Sequence, residues 1–197
     1  MQPAIPPFDN SKPLQQIPFQ YSLHWKETEN GELKHSEFLG NSKDDPRREL
    51  AEQLCREIPI VACVTAYNKS FECGRLKEMA DIFPDLHDHL VAISENIVDL
   101  IEPFRSGWIY YPAMNGSFSV KSVLPALFPD EVSLNYQNLS GNVHNGSEAM
   151  NVYLSLGEMS IQEAEATRKS LLEYCCLDTL AMVKIWEKLK ELSVITE

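Results

Sequence analysis

Apolar and polar residues alternate from Phe19 onward, with Phe19, Tyr21, Leu23 and Trp25 on one side and Gln20, Ser22, His24 and Lys26 on the other. A period of two is the signature of a half-buried strand. Asn30-Gly31 then brings turn chemistry and the run Leu33 to Leu39 follows, which predicts a hairpin. Asp44-Asp45-Pro46 supplies a cap and a proline at a first helical position. Leu50, Leu54 and Ile58 continue at helical spacing, predicting a helix over Pro46 to Glu57.

Ile60 to Tyr67 is a near-continuous apolar run of strand length, as in a parallel-sheet strand covered on both faces, and is expected near the centre of the sheet. Helices are predicted from Ser70 to a stop at Pro84, from Leu86 to Ile101, and from Val120 to Leu127. A short strand is predicted over Trp108 to Tyr111, and a polar loop from Pro129 to Gly146. Ser160-Ile161-Gln162-Glu163 is a capping box, and the apolar positions behind it from Leu171 to Leu189 predict a long C-terminal helix with a break near Thr167 to Ser170. Residues 1–16 carry four prolines and little periodicity, so they are expected to be an extended lead-in to a single domain over residues 17–197. Strands first, then a strand-helix unit, then a helix-rich half predict one α/β or α+β domain.

Composition narrows the function classes. Seventeen Lys and Arg against 29 Asp and Glu leave a net charge of -12, which argues against passive coating of nucleic acid, because phosphate affinity comes from clustered basic side chains. A nuclease survives this test, since carboxylates that hold divalent ions approach phosphate through the ions. The longest apolar run, Ile58 to Tyr67, contains Pro59 and is far shorter than the roughly 20 residues of a membrane span, so no membrane association is expected. The first seven residues show neither a basic leader nor an apolar signal core, and the expected location is the cytoplasm. The five cysteines form no C-x-x-C pair and read as reduced, mostly buried thiols. A Walker-type loop, G-x-G-x-x-G, G-x-S-x-G and H-E-x-x-H are all absent, which removes most nucleotide-binding, lipase-like and zincin readings.

Three segments can carry chemistry. Tyr67-Asn68-Lys69-Ser70-Phe71-Glu72 stands where a strand ends and a helix begins, the place where open α/β sheets build their sites. An acid complementing the helix dipole is the plain alternative for Glu72. Tyr174 and Asp178 are four apart on the last helix and share a face. Asp178 there needs a buried partner for its charge, either a metal ion or a hydrogen-bonded tyrosine. Ser119 and Lys121 open the helix after Gly116-Ser117, and a helix terminus of this kind can receive an anion, while a solvated lysine is the plain alternative. His87 and His89 diverge on one helix and read as surface residues. Asp99 fits either a polar position late in a helix or a member of an acidic cluster.

Asn68-x-x-Phe71-Glu72 resembles the N-x-x-F-D motif of the DEDD exonucleases, and Tyr174-x-x-x-Asp178 resembles their last motif in its tyrosine variant. Ser119 to Val123 resembles the S-L-K-x-V segment of related ribonuclease-H-like domains. The run Gln16 to His24, the block Gly116 to Pro125 and the segment Tyr174 to Met182 are similar to the family called domain of unknown function 2779, and that resemblance covers about Pro3 to Leu192.

The resemblance implies a ribonuclease-H-like α/β fold: a mixed sheet with an N-terminal antiparallel hairpin and flanking helices. It implies a 3'-5' exonuclease chemistry on DNA or RNA, in which four carboxylates hold two Mg2+ or Mn2+ ions about 4 Å apart. Glu72 and Asp178 would be two of those carboxylates, Asn68 would position the loop, Tyr174 would orient the attacking water, and Lys121 and Ser119 would contact substrate. Glutamate at position 72 is one methylene longer than the usual aspartate. The first strand of such domains carries D-x-E upstream of the proline-rich stretch, and Asp9-Asn10-Ser11 does not match it. The chain is therefore expected to be a truncated domain that follows a nuclease-like N-terminal region in a longer protein, with weak or absent metal binding and no hydrolysis of its own. The missing strand should leave a gap between the hairpin and Ile60 to Tyr67, filled by the lead-in, by a second chain in a homodimer, or by direct pairing. The homodimer is favoured because exposed edges invite partner strands. The rival expectations are a non-catalytic nucleic-acid or protein interaction module on the same fold, and an unrelated α/β interaction domain.

Overall fold

The computed structural model describes residues 1–8, 11–139 and 141–194, so Asp9 and Asn10 of the lead-in lie outside the described residues. The fold is mixed α/β, with seven α-helices and four short strands among those residues. Strand β1 (Gln20–Trp25) pairs antiparallel with β2 (Lys34–Leu39) in the register Gln20↔Leu39 to Trp25↔Lys34. Helix α1 (Arg47–Glu57) follows, its entry held by Asp45, whose carboxylate accepts from the Arg47 backbone N–H at 3.1 Å and from the Arg47 guanidinium.

The run predicted as one long strand from Ile60 is shorter in the fold. Ile60 and Val61 are 54% and 91% exposed in a turn closed by Ala62 N–H donating to Pro59 O, and only Val64–Ala66 forms β3. Helix α2 (Ser70–Ile82) ends before Pro84, as predicted. The next segment differs from the predicted helix to Ile101: α3 (His87–Glu95) stops at Asn96, and Ile97–Asp99 forms β4, parallel to β3 in the register Val64↔Ile97 to Ala66↔Asp99. Ile97 and Val98 are β-branched and stiff at χ1, and a waiting strand edge wins over a helical period that the sequence leaves ambiguous.

After a four-residue helix, α4 (Glu102–Arg105), the predicted strand over Trp108 to Tyr111 is absent. Trp108 is 78% exposed there, without a pairing edge to bury it. Helix α5 (Val120–Leu127) matches its prediction, and α6 (Gly146–Ser155) was not legible from apolar spacing. The last helix, α7 (Ile161–Val194), starts with the predicted box: Ser160 N–H donates to Glu163 Oε2 at 3.1 Å and Glu163 N–H donates to Ser160 Oγ at 3.4 Å. It runs unbroken through Thr167 to Ser170. Leu171, Tyr174, Leu177, Ala181 and Ile185 form its buried stripe at spacings of three and four. Arg168 donates to the carbonyls of Leu39 and Gly40, and Lys26 pairs with Glu187 at 3.1 Å, so α7 lies along the hairpin.

Two apolar cores result. One gathers α1, α2 and α3 around β3 and β4; the other gathers α5, α6 and α7 with Ile17 and Phe19. The two strand pairs do not join into one sheet. Residues 1–8 contain no regular element, yet they pack: Met1 is buried, its amino group donates to Ile17 O at 2.6 Å and its carbonyl accepts from Ile17 N–H at 2.7 Å. Burial, then the nearby Arg75 charge, holds that amino group down at about 5. All five cysteines are free; four are partly buried and Cys63 is exposed, so the burial expected of the thiols is less complete in the fold.

Candidate functional site

Between the two strand pairs lies a cavity of about 840 Å³, bordered by Gln20 to His24 of β1 on one side and Val64 to Ala66 of β3 on the other. Glu72 and Asp178 both line it, as do Tyr174 and Arg75. The two carboxylates thus come from opposite cores, one from the first turn of α2 and one from the middle of α7.

The loop that delivers Glu72 is held by Asp99. Asn68 has a left-handed backbone, φ +66°, a region that Asn tolerates better than most residues. It turns β3 into α2, and its N–H donates to Asp99 Oδ1 at 2.8 Å while Lys69 N–H donates to Asp99 Oδ2 at 3.0 Å. Ile101 N–H adds a third bond to Asp99 Oδ1 at 3.2 Å. Asp99 sits at the end of β4, so neither a helical position nor an acid cluster fully describes it: it is the acceptor that caps the loop. The side chain of Asn68 accepts from Ser70 Oγ and Arg105 Nη2.

Glu72 Oε2 is buried without a hydrogen-bond partner, and Gln20 Oε1 and Arg75 Nε on the same cavity are in the same state. Burial raises the Glu72 carboxyl from 4.5 to about 7, with the charges of Asp99 and Asp178 adding to the rise. Asp178 is differently furnished. Tyr136 hydroxyl donates to its Oδ1 at 2.7 Å, Tyr174 hydroxyl also hydrogen-bonds it, and the Lys121 charge attracts it, yet burial outweighs all three and its pKa is raised. Both phenols are pushed up, by burial first and then by the charge of Asp178, so they stay protonated donors.

Tyr136 was not found by sequence reasoning. It sits in a 3-10 turn, Tyr136–Asn138, inside the segment read as polar loop, and only the fold brings it to α7. Its ring stands 6.0 Å from that of Tyr174, with the Lys121 ammonium 5.2 Å from its centroid. Lys121 Nζ donates to His144 O at 2.7 Å, so it closes the loop of residues 128–145 rather than projecting freely. Ser119 precedes α5, and its hydroxyl is tied to Ser117 and Ser122. His87 is exposed, with Nδ1 3.2 Å from Ala80 O, and His89 is partly buried, with Nε2 2.8 Å from Ile58 O, so only His87 is a surface residue and both rings meet a backbone carbonyl. Among the described residues, Glu72, Asp99 and Asp178 do not close to the spacing of a chelating cluster.

These features define a mixed α/β protein with a largely apolar cavity, lined also by Glu72 and Asp178, set between two unjoined strand pairs. The chain matches the family described as Domain of unknown function (DUF2779) over residues 1–119 and belongs to it. Asn68, Glu72, Asp99 and Ser119 fall within the matched region, while Lys121, Tyr136, Tyr174 and Asp178 lie beyond it. The chain is similar to "Uncharacterized protein MG366 homolog" of Mycoplasma pneumoniae, 33% identical over 129 residues, covering 60% of this chain and 19% of that protein. It is also similar to "Uncharacterized protein UU173" of Ureaplasma parvum, 41% identical over 93 residues, covering 41% of this chain and 13% of that protein. The chain thus spans about a fifth or less of the length of these curated relatives. No solved structure matches it. No helix among the described residues is long and apolar enough to cross a membrane.

Proposed function

We propose that the cavity is part of a metal-dependent nuclease site on a ribonuclease-H-like fold, of the DEDD 3'-5' exonuclease type, acting on DNA or RNA. One observation carries this reading: Glu72, whose Oε2 is buried without a hydrogen-bond partner among the described residues, lines the same cavity as Asp178. An unpaired buried carboxylate is costly, and a divalent ion is the partner that removes the cost. The donor set fits, since hard oxygen ligands suit Mg2+ or Mn2+.

When bound, the ions supply Lewis-acid chemistry, acidifying water and stabilising charge on a departing oxygen. The rest is the work of this chain. Asp99 fixes the loop that aims Glu72, Tyr136 and Tyr174 hold Asp178 in place, and Tyr174 is the donor closest in role to orienting a water molecule. Asn68 shapes the loop, and Lys121 and Ser119 stand at the opening of α5, where a phosphate group could be met. Two carboxylates are too few for two hard cations, so the remaining ligands belong to an extended segment lying between β1 and β3. A strand there would pair both free edges and join the two strand pairs.

A second reading, a non-catalytic nucleic-acid or protein interaction module on the same fold, is favoured by the tyrosine bonds that already satisfy Asp178. The test is hydrolysis of labelled single-stranded DNA and RNA, with Mn2+ and with chelator, by the chain and by the longest protein that contains it. Expected are weak Mn2+ binding and no hydrolysis by the chain, and Mn2+-dependent hydrolysis by the longer protein that Asp178→Asn abolishes. A folded longer protein that neither binds Mn2+ nor cleaves either substrate overturns the nuclease reading in favour of the interaction module.

A further inference from the structure

On the face of the hairpin that α7 covers, three side chains of metal-binding type converge away from the carboxylates. His24 and His35 are direct partners across the β1–β2 ladder, with ring centroids 4.5 Å apart. Cys176 reaches them from α7, and one ligand atom from each of the three lies within 4.8 Å of the other two. His24 also borders the large cavity, while His35 and Cys176 lie beyond its lining.

Both rings are already oriented. Thr179 Oγ1 is 2.8 Å from His24 Nδ1, Ser22 Oγ is 2.9 Å from His35 Nε2, and the two hydroxyls are 2.7 Å from each other. Metal-binding imidazoles are characteristically held in this way by an outer hydrogen bond through the other nitrogen. Glu37 is two residues beyond His35 on the same side of β2, with Oε2 3.9 Å from His35 Nε2, so it is a carboxylate within side-chain reach of the set. His35 is exposed, which gives an ion a path in from solvent.

We propose that His24, His35 and Cys176 form a binding site for a borderline-soft transition-metal ion of the Zn2+ class, with Glu37 completing the shell. Two imidazoles, a thiolate and a carboxylate form a donor set that suits Zn2+ and is poorly matched to Mg2+, which prefers oxygen ligands. Ligand atoms at about 2.0 to 2.3 Å from a tetrahedral ion stand roughly 3.3 to 3.8 Å apart, so the three atoms, which lie within 4.8 Å of one another, need draw together by no more than about 1.5 Å when an ion binds. The site pins the hairpin to α7. It shares His24 with the lining of the large cavity but uses neither Glu72 nor Asp178, and it stands whether or not the nuclease reading does.

The test is titration of the folded chain with Zn2+ against a chromophoric chelator, and with Co2+ as a spectroscopic probe. Expected are one tight equivalent of Zn2+, and a Co2+ complex showing both tetrahedral ligand-field bands and thiolate-to-metal charge transfer. Cys176→Ser removes the charge transfer, and His35→Ala weakens Zn2+ by more than about tenfold, at least the loss that removing an outer-shell partner alone brings. Cys63→Ser and Asp178→Asn leave the Co2+ spectrum unchanged. His35 is exposed, so its variant is expected to keep the fold, as circular dichroism will show. A wild-type chain without stoichiometric Zn2+ binding, or a charge-transfer band that survives Cys176→Ser, overturns the assignment.

Discussion

The hydroxyl of Tyr136 donates to Asp178 Oδ1 at 2.7 Å across 42 residues of sequence, joining a 3-10 turn to the middle of α7. Glu72, which borders the same cavity, has an oxygen with no such donor. The two acids are therefore held differently: one is bound by phenols that stay protonated, the other has an oxygen without a hydrogen-bond partner among the described residues.

Removing the phenol tests that difference. Tyr136→Phe leaves Asp178 with Tyr174 alone and should lower stability by roughly 1.5 to 3 kcal/mol, the usual worth of a hydrogen bond to a charged group. Urea unfolding at pH 7 measures it. A double-mutant cycle with Asp178→Asn should return most of that value as coupling. Additive effects would show that the bond contributes nothing.

Glu72 sets a pH dependence whose sign is fixed by the direction of its shift. The folded carboxyl titrates at about 7 against 4.5 unfolded, so the unfolded state releases its proton first as pH rises. Its contribution is fully favourable below about pH 4.5 and is lost progressively as pH climbs through 7, a change of about 3 kcal/mol. Glu72→Gln should remove this component, making the variant more stable than the parent at pH 8 and nearly equal to it at pH 4.5. Denaturant melts of both proteins in chelator at the two pH values check the prediction.

Divalent ions should act only on the ionised form. At pH 8, Mn2+ should raise the melting temperature of the chain, because binding to the folded state alone stabilises it. At pH 5 the shift should vanish as Glu72 takes up its proton, and at pH 8 Asp178→Asn should abolish it. Thermal melts with Mn2+ and with chelator measure this, and equal shifts in parent and variant would place the ion elsewhere.

The loop carrying Glu72 depends on Asp99. Asp99→Ala strips the acceptor from the N–H groups of Asn68, Lys69 and Ile101 and should cost about 1 to 3 kcal/mol. Asn68→Gly should be nearly neutral at φ +66°, whereas Asn68→Val should be clearly destabilising, because a β-branched side chain is strained there. Denaturant unfolding of the three variants ranks them.

Several elements were legible because their signals are local. The alternation from Phe19 to Trp25 and the Asn30-Gly31 turn specify the hairpin, and the Ser160-Glu163 box marks the start of α7 within a residue. Asp45-Pro46 likewise announces α1. Strand β4 was read as the end of a helix, because Ile97 to Asp99 carries no alternation of its own and becomes a strand only where β3 offers an edge. The predicted strands at Ile60 and Trp108 failed for the converse reason: apolar residues without an edge or a core to cover them remain in turns, with Val61 and Trp108 exposed.

The site divides in the same way. Asn68, Glu72, Tyr174 and Asp178 could be singled out from sequence because motif spacing along a strand end or one helix face is a property of neighbouring residues. Which acid would be paired, and by what, could not be read there. The Tyr136 donor, the capping role of Asp99, the unpartnered Glu72 oxygen and the meeting of His24, His35 and Cys176 arise from contacts between segments far apart in the chain. Local pattern determines where a backbone turns, coils or extends, since it acts through steric preference and the period of apolar positions. Burial determines charge and partnership, and burial exists only once α7 has been laid along the hairpin and the two cores have closed around the cavity between them.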